Sequence, residues 1–127
     1  MSIKLDERIV DVLESNGWSI LQIFDNSRKP DPRYPFFKSE TRFDCELEWF
    51  SDAGEDFVTY VIYDGTVDGF VKGFKEAYDC YNIDEHVDMW ISSRGLNGVP
   101  SSVRCLLEDA EGIEKHMLDT YLELREI

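Results

Sequence analysis

Residues 43–49 read Phe-Asp-Cys-Glu-Leu-Glu-Trp, an unbroken alternation of apolar and acidic side chains. Successive side chains of a β-strand point to opposite faces, so this pattern predicts a strand with one buried face and one face of carboxylates. A polar turn containing Gly54 follows, and residues 57–63 are rich in Val, Thr, Tyr and Ile. The two segments together predict a β-hairpin.

The segments around this hairpin complete the predicted fold. Residues 18–24 are aromatic and branched, which predicts a third strand beside the hairpin. Apolar residues at helical spacing predict a helix over 4–15 and three more helices after the hairpin. We therefore predict an α+β fold over residues 1–127 as a single domain, with a three-stranded antiparallel sheet and an N-terminal helix and three C-terminal helices packed on it.

Local signals mark where the three C-terminal helices begin. Thr66 is a suitable N-cap for the first, and Asn82 for the second. Pro100 suits the first position of the last helix. Gly69 and Gly73 lie one turn apart in the first of these helices and weaken it, which indicates that a neighbouring element passes close by.

Acidic residues are concentrated in the middle of the chain. The net charge is −14, and residues 44–88 hold 13 acidic against two basic residues, a balance of −11. Such a surface repels nucleic acid and anionic membranes and attracts a basic groove of another protein, although a charge run is also typical of a face that only keeps a protein soluble. We expect a protein partner with a basic nucleic-acid-binding groove and no direct contact with nucleic acid or membrane. The candidate partner-binding residues are Asp44, Glu46, Glu48, Asp52, Glu55, Asp56, Asp64 and Asp68.

Composition also suggests a compartment. No apolar run approaches the roughly 18 residues that a membrane-spanning helix needs, and the first residues are too polar for a signal peptide. Cys45, Cys80 and Cys105 lie far apart, which fits buried thiols in a reducing compartment. We therefore expect a soluble cytosolic protein.

Residues 25–37 differ from the rest of the chain. Three prolines within this segment exclude regular structure, and Arg28, Lys29 and Arg33 make it basic. We expect an exposed loop whose far end is anchored by Tyr34, Phe36 and Phe37. If the protein were an ordinary interaction domain, this loop would be its contact surface.

Signals for catalysis are weak, and we predict no catalytic residue. The chain has no glycine-rich phosphate loop with its lysine. The acids of residues 44–48 lack the alternating lysine that would hold a phosphate substrate in a nuclease. Cys80 and His86 are close in sequence, but Cys80 continues an apolar helical stripe and is expected to pack.

A zinc-binding accessory or regulatory module is the alternative that the sequence leaves open. His86 lies among Asp84, Glu85 and Asp88, with Cys80 six residues earlier, and zinc accepts all of these ligand types. No C-x-x-C or H-x-x-x-H spacing accompanies them. We therefore expect no cofactor and no metal site.

The C-terminal half resembles a cassette found in small acidic proteins carried by bacteriophages and plasmids, some of which are anti-CRISPR or anti-restriction inhibitors. The likeness spans roughly residues 66–124. It implies an inhibitor that acts in the cytoplasm of the bacterial host cell and binds an RNA-guided nuclease or a restriction enzyme without changing it chemically. Our leading hypothesis takes a type II RNA-guided effector as the target. Such nucleases hold nucleic acid in a positively charged channel. The segments that carry the likeness are residues 84–87, 90–91, 94–95, 97–104 and 108–111.

Overall fold

A computed structural model describes residues 5–34, 36, 39–94 and 102–127. The three strands form one antiparallel sheet in the order β1-β2-β3, so β2 is central and β1 and β3 are its edges. This is the predicted α+β architecture, with one helix before the sheet and three after it. Within the described ranges no helix is both long and apolar enough to cross a membrane. The elements are α1 (Glu7–Ser15), β1 (Ser19–Asp25), β2 (Phe43–Phe50), β3 (Asp56–Tyr63), α2 (Val67–Cys80), α3 (Ile83–Arg94) and α4 (Val103–Leu124).

One face of the sheet is covered by the helices and forms the core. Cys45 and Leu47 of β2 and Val61 of β3 have no exposed surface, as the alternation of residues 43–49 predicts. Burial raises the pKa of the Cys45 thiol to about 12. The helices supply the other side of the core through Phe70, Phe74, Leu106, Ile113 and Met117, among others. We call this helix-covered side of the sheet the inner face.

The helix α2 lies unusually close to the edge strand β3. A Cβ atom added at Gly73 would lie 2.2 Å from the carbonyl oxygen of Ile62. A Cβ atom at Gly69 would lie 2.0 Å from the carboxylate of Asp64. The close approach predicted from these two glycines is confirmed, because no larger side chain fits at either position without a shift of its neighbours.

The predicted starts of α2 and α3 are confirmed. The Thr66 hydroxyl accepts a hydrogen bond from the Gly69 amide at 2.9 Å, and the Asn82 side chain accepts one from the Glu85 amide at 2.9 Å. Helix α4 begins at Val103 with Ser102 as its N-cap, and Pro100 lies outside the described residues.

Strand β1 carries a bulge. Ile20 pairs with Leu47 and Gln22 with Glu46, so Leu21 is an extra residue relative to β2. The extra residue changes the alternation, and as a result Ile20 and Ile23 both pack against the core although they are three residues apart.

The prediction that Tyr34, Phe36 and Phe37 anchor the far end of the basic loop is wrong. The bridge between Arg28 and Glu40 extends the β1–β2 hairpin, and at its tip Phe36 is 96% exposed and Tyr34 54% exposed. These rings therefore do not anchor the loop, and Phe37 lies outside the described residues.

The cysteine prediction holds only for Cys45. Cys80 and Cys105 are exposed. Both lie on the outer side of their helices, where the helical period turns them away from the core.

Candidate functional site

The side of the sheet that faces away from the helices, here called the outer face, carries the acids predicted on β2. Asp44, Glu46 and Glu48 alternate with the buried residues, and alternate residues on a strand are about 6.6 Å apart. Directly opposite residues of neighbouring strands share a face. The neighbours of the three acids on the outer face are Phe24, Gln22 and Ser19 of β1 and Ile62, Tyr60 and Val58 of β3.

The outer face is therefore both acidic and apolar. Val58, Tyr60 and Ile62 are 40%, 49% and 46% exposed, and Phe24 is 40% exposed. Scattered exposed apolar side chains are ordinary, but these lie together beside a row of carboxylates. This combination is typical of a surface that binds another protein rather than of a face that only keeps the chain soluble.

Asp44, at one end of the row, is neutralised within the chain. The Arg42 Nε atom lies 3.0 Å from Asp44 Oδ1, and the Asp44 side chain is only 18% exposed. Because its charge is already paired, Asp44 offers less attraction to a basic partner than its two neighbours on the strand.

Glu46, in the middle of the row, is held in place by hydrogen bonds from both neighbouring strands. The Tyr60 hydroxyl donates to Glu46 Oε2, and Gln22 Nε2 lies 3.5 Å from Oε1. The bond to Glu46 raises the pKa of Tyr60. Neither donor carries a charge, so the negative charge of Glu46 stays on the surface.

Glu48 and Asp56 form a pair of acids on the outer face. Their carboxyl groups are within hydrogen-bonding distance, which together with partial desolvation and the nearby charge of Asp56 raises the pKa of Glu48. Two like charges at close range favour retention of a proton. A cation from a partner would relieve this repulsion, so the pair is a suitable anchor for an arginine or lysine.

The remaining predicted contact residues do not join this face. Asp52 lies exposed in the β2–β3 turn, whereas Asp64 and Asp68 lie beyond the other end of β3, roughly 25 Å away along the strand. Asp64 accepts hydrogen bonds from the amide and hydroxyl of Thr66, which lowers its pKa. Glu55 is 4% exposed, so its inclusion among surface contacts is corrected: the turn folds it inwards.

The acids around His86 do not assemble into a metal centre. In the part of the chain that the structure describes, no three His, Cys, Asp or Glu side chains could hold a metal ion together. His86 instead packs against Trp90, with ring centroids 3.9 Å apart, and its Nδ1 is hydrogen bonded with the Tyr81 hydroxyl. The zinc alternative therefore gains no support from the geometry of these residues.

His116, which sequence reasoning did not select, lies in an aromatic stack beside the core. Its ring is stacked on Trp49 with centroids 3.8 Å apart, and the ring of Trp18 is 5.5 Å away. The Nε2 atom is buried and has no hydrogen-bond partner among the described residues, and burial lowers the pKa of the ring. The sequence feature that could have identified His116 is its position on the buried stripe of α4, between Ile113 and Thr120.

A second missed group is the buried carboxylate of Asp109, which is 8% exposed. Its Oδ2 accepts from the Ser51 hydroxyl at 2.6 Å, and its Oδ1 lies 3.3 Å from the amide of Ala53. The Ser51 hydroxyl in turn accepts from the Glu55 amide at 2.9 Å. Asp109 thus ties the β2–β3 turn to α4 and fixes the end of the outer face.

Comparison of the chain with protein-family models, with curated proteins and with solved structures gives no match.

Proposed function

We propose that this protein is a non-enzymatic inhibitor of bacteriophage type that acts in the bacterial cytoplasm. It would bind a type II RNA-guided nuclease and cover the basic surface on which that enzyme holds nucleic acid. The observation that supports this most directly is the outer face, on which Glu46, Glu48 and Asp56 lie together beside exposed apolar side chains.

The chemistry of the outer face favours arginine-rich partners. An arginine side chain combines a charged planar group with an apolar stem, and it binds carboxylates with two parallel hydrogen bonds. The row of acids would receive the guanidinium groups, while Val58, Tyr60 and Ile62 would cover the stems. Association driven in this way is fast and weakens as salt increases.

The experiment is a titration of a guide-loaded type II nuclease with this protein, in which the binding of a labelled DNA duplex is followed by fluorescence polarisation. We expect the protein to prevent DNA loading. The variant E46K/E48K should weaken inhibition by about tenfold or more, because two attractive contacts become repulsive. The loss should be larger at low than at moderate salt.

A matched control changes the same number of charges elsewhere. Glu108 and Glu111 are exposed on α4, in the helix layer, so E108K/E111K should inhibit like the natural protein. If both double variants inhibit equally, the outer face is not the interface. If the natural protein leaves DNA loading by RNA-guided nucleases and restriction enzymes unchanged, the proposed function is wrong.

The exposed tip of the β1–β2 hairpin supports a second candidate function, that of an interaction domain which binds through its basic loop. Phe36 is 96% exposed and the Arg33 side chain is 82% exposed. The variant R33A/F36A should leave nuclease inhibition unchanged if the outer face is the interface. Loss of inhibition in this variant, with E46K/E48K unaffected, would assign binding to the loop.

A further inference from the structure

The two edges of the sheet differ from its faces because an edge strand presents main-chain donors and acceptors. Strand β3 is one of these edges, and within the described residues it pairs only with β2. Among the described residues, no group outside the sheet hydrogen bonds to the main chain of Val58 or Tyr60. Exposed edges of this kind are templates on which an added strand can pair.

The hydrogen-bond pattern fixes which main-chain groups point outwards. The Asn26 amide donates to the Arg42 carbonyl at 2.9 Å, so the even-numbered residues leading into β2 face β1 and the odd-numbered ones face β3. The register of β2 and β3 pairs odd-numbered residues with odd-numbered residues. Val58, Tyr60 and Ile62 therefore direct their amides and carbonyls away from the sheet.

The contact with α2 supports this assignment and limits the open edge. The Ile62 carbonyl oxygen faces Gly73 so closely that an added Cβ atom would lie 2.2 Å from it. Helix α2 thus covers the edge at Ile62, whereas the edge at Val58 and Tyr60 is open to an added strand.

A groove runs along the open part of the edge. Two adjoining hollows of about 470 and 440 Å³ share Phe57, Val58, Cys80 and Tyr81 as lining residues. Among the described residues, the acids that line them are Asp56, Glu76 and Glu85, and no lysine or arginine of the described part lines either hollow. The groove is therefore apolar at its base and negative at its rim.

We propose that this groove binds an extended peptide segment of a partner protein, which adds to the sheet as a fourth strand beside β3. The main chain of the peptide would pair with Val58 and Tyr60, and pairing would stop at Ile62. Its side chains would alternate between apolar groups, which enter the groove, and lysine or arginine, which meet the acidic rim. The groove shares Asp56 with the outer face, but the pairing uses the main chain of Val58 and Tyr60 and not the carboxylates of Glu46 or Glu48, so the inference does not depend on the proposed function.

The test uses the full chain and a short fluorescent peptide of alternating valine and lysine as the probe. We expect saturable binding by fluorescence polarisation. On binding, hydrogen exchange should slow at the amides of Val58 and Tyr60 and remain unchanged at Ile62. A peptide with glutamate in place of lysine, or with every amide N-methylated, should bind at least about tenfold more weakly.

The variant pair V58P and V58A separates main-chain pairing from side-chain contact. Proline removes the outward amide, and an edge strand tolerates this because that amide takes no part in the sheet. We expect V58P to weaken peptide binding by about tenfold and V58A to remain within about twofold of the natural protein. The hydrogen-exchange result keeps the proposal testable if V58P does not fold.

Several results would overturn the proposal. These are no saturable binding, equal binding of the N-methylated peptide, or protection at amides other than those of Val58 and Tyr60. A dimer of the isolated chain that V58P dissociates would assign the edge to a second copy of the protein instead.

Discussion

The two faces of the sheet are built from the same strands and differ in what each can do. On the inner face Val61 is fully buried, whereas on the outer face Val58 of the same strand is 40% exposed. The inner face holds the helices in place, and the outer face presents acids and apolar side chains that nothing within the described part of the chain covers. A strand with a strict period of two therefore keeps the residues that stabilise the core apart from those that are exposed, so each face can be altered without altering the other.

The largest difference between the faces should appear in stability when the same residue type is truncated on each. We expect V61A to lower the free energy of unfolding by about 2–3 kcal/mol, because it removes buried methyl groups and leaves a cavity. V58A should lower it by less than about 1 kcal/mol. Urea denaturation of both variants measures the contrast, and equal losses would show that the outer face is covered in the native protein.

A smaller effect is expected where the turn between β2 and β3 is fastened to α4. D109A leaves the Ser51 hydroxyl and the Ala53 amide without their acceptor, and it should lower the free energy of unfolding by about 1–2 kcal/mol. Glu108 is the matched control: its side chain is 64% exposed and paired with Arg104, so E108A should change stability by no more than about 0.5 kcal/mol. Hydrogen exchange in the turn should increase only in D109A.

The next effect concerns pH at the inner face. Burial lowers the pKa of His116 below its ordinary value of 6.5, so its contribution to stability is present above that pH and is lost as pH falls through the lower folded value. In H116F a ring still stacks on Trp49, but nothing titrates there. We expect the urea midpoint of H116F minus that of the natural protein to increase as the pH is lowered from 7 to 5. A constant difference would mean that His116 is not desolvated.

The smallest expected effect is the pH dependence of stability caused by Glu48 on the outer face, and its sign is opposite to that of His116. The contact with Asp56 raises the pKa of Glu48 above its ordinary 4.5, so the pair favours the folded state at low pH and loses this contribution as pH rises through the raised value. E48Q should therefore raise the melting temperature slightly at pH 7 and leave it unchanged at pH 4. D56N should act in the same direction, and the double variant should gain less than the sum.

Local patterns in the sequence predict most of this fold. The alternation of residues 43–49 defines both faces of β2, and the caps at Thr66 and Asn82 mark the starts of two helices, because these signals depend on neighbours within a few residues. Such local signals do not predict contacts between segments that are far apart in the sequence. The pairing of Asp109 with Ser51 and the stacking of His116 on Trp49 each depend on segments more than 50 residues apart meeting in the folded chain.

The same limit applies to the candidate site. The sequence predicts that Asp44, Glu46 and Glu48 share a face, because the period of a strand dictates it. It does not reveal that Arg42 neutralises Asp44 or that Asp56 joins the face from the next strand. Those facts depend on side-chain geometry and on the register between strands, and neither is written in a single segment.

The bulge in β1 bears on how the length of this chain can vary. Loss of one residue from the middle of a strand ordinarily turns all that follows to the wrong side. Here, without Leu21, Ile20, Gln22 and Ile23 would stand opposite Leu47, Glu46 and Cys45 in an unbroken ladder, with both isoleucines still directed towards the helices. A protein without Leu21 would therefore keep its core. The fold can thus tolerate the deletion or insertion of one residue at this position.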